Sequence, residues 1–164
     1  MRDVPLPVAE PHEPRIIAFF CNWCTYTASD LAGTSRLTYA PGTRVVRVMC
    51  SGRVDPEFVL ASLRKGADGV LIGGCHPGDC HYQEGNTKCL RRFRLLKRCL
   101  AQMGVEDERV RLEWISASEG ERVKRVTDEM VEDLRRLGPC RFDHPPIAPP
   151  EARRDPAPMA GAAS

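Results

Sequence analysis

A chain of 164 residues, 42% of them hydrophobic and 28% charged, is long enough for one buried core and too short for two. Its formal net charge of +2 gives neither nucleic acid nor an anionic membrane a reason to be the main partner. The opening MRDVPLPVAEPHEP has no apolar signal core, and runs such as IIAFFC are too short to span a bilayer, so the chain is expected to work in the cytoplasm.

Taken in chain order, RIIAFF (15–20) reads as a short buried strand that runs into a cysteine-bearing turn. A short helix is expected near 25–35, closed by Gly33. RVVRVM (44–49) is a second apolar strand. In the DPEFVLASLRKG that follows, Asp55 can cap a helix, Pro56 suits its first position and Gly66 its C-terminal turn. GVLIGG (69–74) is a third strand. Over 86–103, Cys89, Phe93, Leu96, Leu100 and Met103 fall on one stripe at helical spacing. RVRLEWIS (109–116) is a fourth strand, and Ser118 with Glu121 is spaced as a capping box. A second stripe follows, made of Val123, Val126, Met130, Leu134 and Leu137.

Strands alternating with helices predict an α/β domain: a small doubly wound parallel sheet of about four strands with helices on both faces. The folded unit is expected over 15–138. A leader, 1–14, holds four of the 14 prolines and a Pro- and Ala-rich tail, 139–164, holds seven; both are expected to be disordered.

The eight cysteines are the unusual feature, because clustered thiols in a reducing cytosol point to metal binding or redox chemistry. Cys21, Cys50 and Cys75 each follow a predicted strand directly, which in a parallel sheet puts them along one edge, where open α/β sheets build their sites. Cys24 lies three residues beyond Cys21, and Cys80 five beyond Cys75, so five thiols from three loops are expected to converge. His76-Pro77-Gly78-Asp79 has the composition of a type II turn that would fold Cys80 back towards Cys75.

Plainer readings cover the other chemistry-bearing residues. Cys89 and Cys99 are expected to be small core residues, and Cys140 is incidental at the start of the tail. Five thiols make ligation by His76 and His81 unnecessary, which leaves these two hydrogen bonding around the site or turn structure. Trp23 is expected to shield the site or to pack, not to react. The run Lys88, Arg91, Arg92, Arg94, Lys97 and Arg98 is either a solvated helix face or a docking surface for an acidic partner subunit.

Zinc is satisfied by four thiolates, yet structural zinc usually organises small knuckles that lack a core. A dithiol oxidoreductase would use the CxxC pair and leave Cys50, Cys75 and Cys80 unexplained. GGCHPG is neither a dinucleotide fingerprint nor a P-loop, and no nucleophile–base set for hydrolysis stands out. An iron–sulfur cluster uses the most residues.

The runs CNWCTYTASDLAGTSR, CSGRVDPEFVLASLRKGADGV, GCHPGDCHYQEGN and WISASEGER, in that order, resemble the iron–sulfur delta subunit of methyl-viologen-reducing hydrogenase. The resemblance covers about residues 15–130. It implies an electron-transfer subunit, not a catalyst by itself, carrying a [2Fe-2S] cluster, with the family's motif cysteines falling on Cys21, Cys24, Cys50, Cys75 and Cys80. It further implies a link from a hydrogenase or formate dehydrogenase to the flavin-containing A-type component of a heterodisulfide reductase. Cys21, Cys24 and the 76–81 loop are then expected near a subunit interface. A zinc-stabilised adaptor and a cytosolic CxxC dithiol oxidoreductase are the alternatives.

Overall fold

In the computed structural model, which describes residues 12–141, four strands alternate with four α-helices. They are β1 (Ile16–Cys21), α1 (Thr25–Thr34), β2 (Thr43–Val48), α2 (Pro56–Arg64), β3 (Gly69–Gly74), α3 (Gly85–Gln102), β4 (Val110–Trp114) and α4 (Gly120–Leu137). All strand pairs are parallel, in the order β2-β1-β3-β4, with Ile16 opposite both Thr43 and Gly69 and Val70 opposite Val110. This is the predicted doubly wound sheet. β1 and β3 occupy its centre and read as nearly unbroken apolar runs because both of their faces are covered.

Successive residues of a strand point to opposite faces, and the two cores follow that period. Ile16, Ala18, Phe20 and Leu71 pack on one face with Ala28 of α1 and Val123, Met130 and Leu134 of α4. Phe19, Val70 and Ile72 pack on the other with Val59 and Leu63 of α2 and Cys89, Leu96 and Leu100 of α3. The α2 signals are realised as read: the Asp55 carboxylate accepts from the Glu57 N–H at 3.0 Å, Pro56 opens the helix, and Gly66 has φ +89°.

Several expectations are corrected. β2 is an edge strand whose four middle residues, Arg44 to Arg47, are exposed, because the helices cover β1 and β3 instead. Gly33 does not close α1; it lies inside the last turn, and Arg36 takes the left-handed conformation at φ 54°. Ser118 and Glu121 form no capping box. The Ser118 hydroxyl meets that of Ser116, and α4 starts at Gly120 with no side-chain cap. Cys89 is buried as expected, whereas Cys99 and Met103 face solvent: Cys99 turns off the stripe that α3 presents to the sheet, and Met103 is the C-cap residue beyond the last helical position, Gln102.

The expected leader and tail lie mostly outside the described residues. Their described ends are held: Glu13 pairs with Arg135, and the Cys140 N–H donates to the buried Asp68 carboxylate at 3.0 Å. Arg109, 1% exposed, secures the same end of the sheet by donating to the carbonyls of Asp68 and Gly138 and pairing with Glu106. Among the described residues no helix is long and apolar enough to cross a membrane.

Candidate metal centre

The chain order reverses between β1 and β3, and ligands of open α/β sheets sit at the carboxyl ends of the strands flanking such a point. Cys21 is the last residue of β1 and Cys75 directly follows β3, and their Sγ atoms are 3.8 Å apart. Cys24, at the start of α1, completes a group whose three sulfurs all lie within 4.8 Å of one another. Cys50, just beyond the loop end of β2, meets Cys80 at 3.9 Å. All five expected thiols are buried and none is in a disulfide. The structure therefore brings them to one edge as a trio and a separate pair.

The 76–79 turn forms, with Gly78 at φ +95° and the Asp79 N–H donating to the His76 carbonyl at 3.0 Å, but it does not aim Cys80 and Cys75 at one point: Cys80 meets Cys50, and Cys75 joins Cys21 and Cys24. Neither histidine joins the sulfur group. His76 Nε2 lies 2.7 Å from the Glu119 carboxylate, which also accepts from the Ser116 N–H. His81 stacks on Trp23 with centroids 3.9 Å apart, and Tyr82 meets both rings edge-on. Trp23 and Tyr82 are each about half exposed, and Trp23 and His81 line, with Cys24, Cys75, His76 and Asp79, an open cavity of about 310 Å³. A larger cleft between α1 and α4 contains no cysteine.

The electrostatics differ from thiol to thiol. Cys21 is pulled down to about 5, chiefly by its hydrogen bond with Cys24, and with help from the Trp23 N–H against the effect of burial. Cys24 is pushed up by the same hydrogen bond and by burial, and burial likewise raises Cys75 and carries Cys50 to about 11. Burial alone would raise Cys80, but the backbone N–H groups of Asn86, Tyr82 and Gly85 hold it below the ordinary thiol value. Each subset thus holds one thiol whose thiolate is favoured more than in an ordinary cysteine. The others would give up their protons to a soft metal cation, whose charge favours the thiolate.

Three residues that sequence reading passed over shape the pair. A Cβ on Gly85 would stand 2.2 Å from the Cys50 sulfur and 3.1 Å from that of Cys80. Gly52 faces Gly85 backbone to backbone, and its N–H donates to Cys50 Sγ at 3.4 Å. Asn86, 2% exposed, donates from Nδ2 to the carbonyls of Cys75 and His76 at 3.2 and 2.8 Å, tying the 75–80 loop to the start of α3. The available signal was the Gly-Asn step opening a helical stripe. Gln83, at φ 66° between Cys80 and Gly85, marks the tightness of this loop.

The family profile described as methyl-viologen-reducing hydrogenase, delta subunit, matches residues 16–138. The chain belongs to that family. It is 56% identical over 136 residues to the D-type iron-sulfur subunit of the F420-non-reducing hydrogenase of Archaeoglobus profundus, covering 83% of this chain and 99% of the relative. The corresponding iron-sulfur subunit of the vhc F420-non-reducing hydrogenase of Methanococcus voltae is 52% identical over 133 residues, covering 81% and 92%. The A-type component of the ferredoxin/F(420)H(2)-dependent CoB-CoM heterodisulfide reductase of Methanosarcina acetivorans is 48% identical over 126 residues, which are 77% of this chain and 16% of that far longer one. The delta-subunit unit thus occurs both as a separate chain and within a larger reductase polypeptide.

Proposed function

We propose that the chain is an electron-relay subunit whose [2Fe-2S] cluster is held by four of Cys21, Cys24, Cys50, Cys75 and Cys80. The observation that carries this reading is the division of the sulfurs. Two thiolates on one tetrahedral metal at a metal–sulfur distance of about 2.3 Å stand about 3.8 Å apart. Cys21 with Cys75, at 3.8 Å, and Cys50 with Cys80, at 3.9 Å, each match one such edge. A single zinc would need four sulfurs all that close, and among the described residues the compact group stops at three. Two metal positions, each with its own close pair, fit better.

The cluster, when bound, accepts and returns one electron; the chain supplies its surroundings. Backbone N–H groups from Gly52 and the start of α3 point at sulfur, and such bonds raise an iron–sulfur potential. The Trp23–His81–Tyr82 group limits water access while leaving the edge near the surface. Cys21, Cys24 and the 76–81 loop would then face the partner's cofactor at a subunit interface. The donor is a hydrogenase or formate dehydrogenase, the acceptor the flavin-containing A-type component of a heterodisulfide reductase, and the setting the cytoplasm. The relative that carries this unit within a reductase polypeptide of that type supports the acceptor.

The trio by itself favours a second reading, a zinc-stabilised adaptor that would need a fourth ligand to close the site. Iron, zinc and acid-labile sulfide measured on anaerobically purified protein separate the two. About two irons and two sulfides per chain, with a visible band bleached by dithionite, are expected of the relay. One zinc without sulfide would establish the adaptor. A metal-free protein with a titratable disulfide would establish CxxC chemistry.

A further inference from the structure

Helix α3 carries six cationic side chains and no acidic one. Three of the six have local partners: Arg92 donates to the carbonyls of Gly52 and Val54, Lys97 pairs with Asp107, and Lys88 pairs with Glu84 one turn back. Arg91, Arg94 and Arg98 have no carboxylate within ion-pair distance among the described residues. At 3.6 residues per turn, Arg91, Leu95 and Arg98 share the face turned away from the buried Cys89–Leu96–Leu100 stripe. Leu95 is 65% exposed at the centre of that face, and Cys99 beside it is exposed too.

Helix α4, of the same length, handles its surface differently, pairing Lys124 with Asp128 and Arg125 with Glu129 along successive turns. α3 instead keeps like charges at positions 91, 94 and 98, an arrangement that weakens an isolated helix. An acidic surface laid against it removes the repulsion and covers Leu95 at the same time. An apolar centre ringed by arginines is the anatomy of a protein interface, whereas a phosphate backbone has no use for an exposed leucine or thiol.

We propose that the outer face of α3, centred on Leu95 and ringed by Arg91, Arg94 and Arg98, is the docking surface for an acidic face of a partner protein. The proposal rests on reading the chain as a subunit of an electron-transfer complex. It adds a second surface to the cysteine edge. α3 opens at Gly85, against Cys50 and Cys80, so a partner seated on this helix is held in register with the metal centre.

The test uses the full chain, tagged and purified anaerobically from its own organism with its complex, beside the isolated chain. Cys99 serves as the reporter. Its alkylation by iodoacetamide, read by mass spectrometry, is expected to be at least tenfold slower in the complex. Arg91→Glu with Arg98→Glu, and separately Leu95→Asp, are expected to release the chain at lower salt while leaving its melting temperature unchanged; Arg91→Lys with Arg98→Lys should restore binding. Equal alkylation in both states, unchanged salt resistance of the variants, or Cys99 protection abolished by nuclease would overturn the proposal. Iron and sulfide measured on the same samples judge the relay separately. Protection of Cys99 in a zinc-containing complex would keep the docking face and sink the relay, and the converse pattern would do the opposite.

Discussion

At the scale of single residues the division into trio and pair sets what substitution should do. Among the described residues, Cys50 and Cys80 form a close pair that no third sulfur joins within 4.8 Å of both, whereas Cys21, Cys24 and Cys75 are mutually close. Cys50→Ser and Cys80→Ser are expected to abolish the dithionite-bleachable band. At least one change in the trio should retain it with an altered electron paramagnetic resonance signal. Uniform loss across all five would remove the idea of a spare thiol in the trio. Gly85→Ala is the steric counterpart, since its Cβ has no room beside the two sulfurs. Iron per chain should fall by at least half with unchanged far-ultraviolet circular dichroism, and full iron content would show that the close approach is dispensable. The positions of the five cysteines after their strands were legible in the sequence. Gly52, Gly85 and Asn86 were not, because glycine is required there by a sulfur and a backbone remote along the chain.

Elements behave as their local signals predict where the signal is self-contained. Asp55, Pro56 and Gly66 delimit α2 by short-range chemistry, and all three were read correctly. Gly33 misled because a glycine near a helix end reads as a terminator, although here it is helical and faces open space. Gly33→Ala should therefore stabilise the fold by up to about 1 kcal/mol in chemical denaturation. A loss of stability would mean that the glycine is needed to end the helix. The α4 entrance also departs from its local signal. Glu119, not Ser118, organises it, accepting from the Ser116 N–H and holding His76, and its pKa falls from 4.5 to about 2. A depressed carboxylate contributes stability that is complete above its unfolded pKa and is lost as pH falls through the folded value. The melting-temperature gap between the apoprotein and its Glu119→Gln variant should thus be open at about pH 6 and close as pH drops from about 4.5 towards 2. A gap independent of pH would rule out this ionic contribution.

For the whole molecule, a metal held by these cysteines would add a further tie between the ends of three strands, beside the links that Asn86 and the Gly52–Gly85 contact already make. Metal binding to residues brought together by folding adds to folding stability. Chelation under anaerobic conditions is expected to lower the melting temperature by about 10 °C, the shift that about 3 kcal/mol produces in a domain of this size. Hydrogen exchange should rise over 22–25, 50–54 and 75–84 while α4 stays protected. An unchanged melting temperature would mean that the loops are held without the metal.

The sequence by itself determined the α/β class, the order of strands and helices, and the placement of five cysteines around the strand ends, because apolar period, capping residues and the position of a thiol after a strand are local along the chain. Its motif runs also carried the family resemblance. Tertiary structure alone decided that β2 lies at the edge, that Cys99 faces solvent, and that the five thiols divide into three and two. It also decided that α3 turns outward a cationic face whose Arg91, Arg94 and Arg98 pair with no carboxylate among the described residues. The physical reason is the same in each case. Strand order and helix rotation are set by which apolar faces bury one another, and that choice is made between segments far apart in sequence.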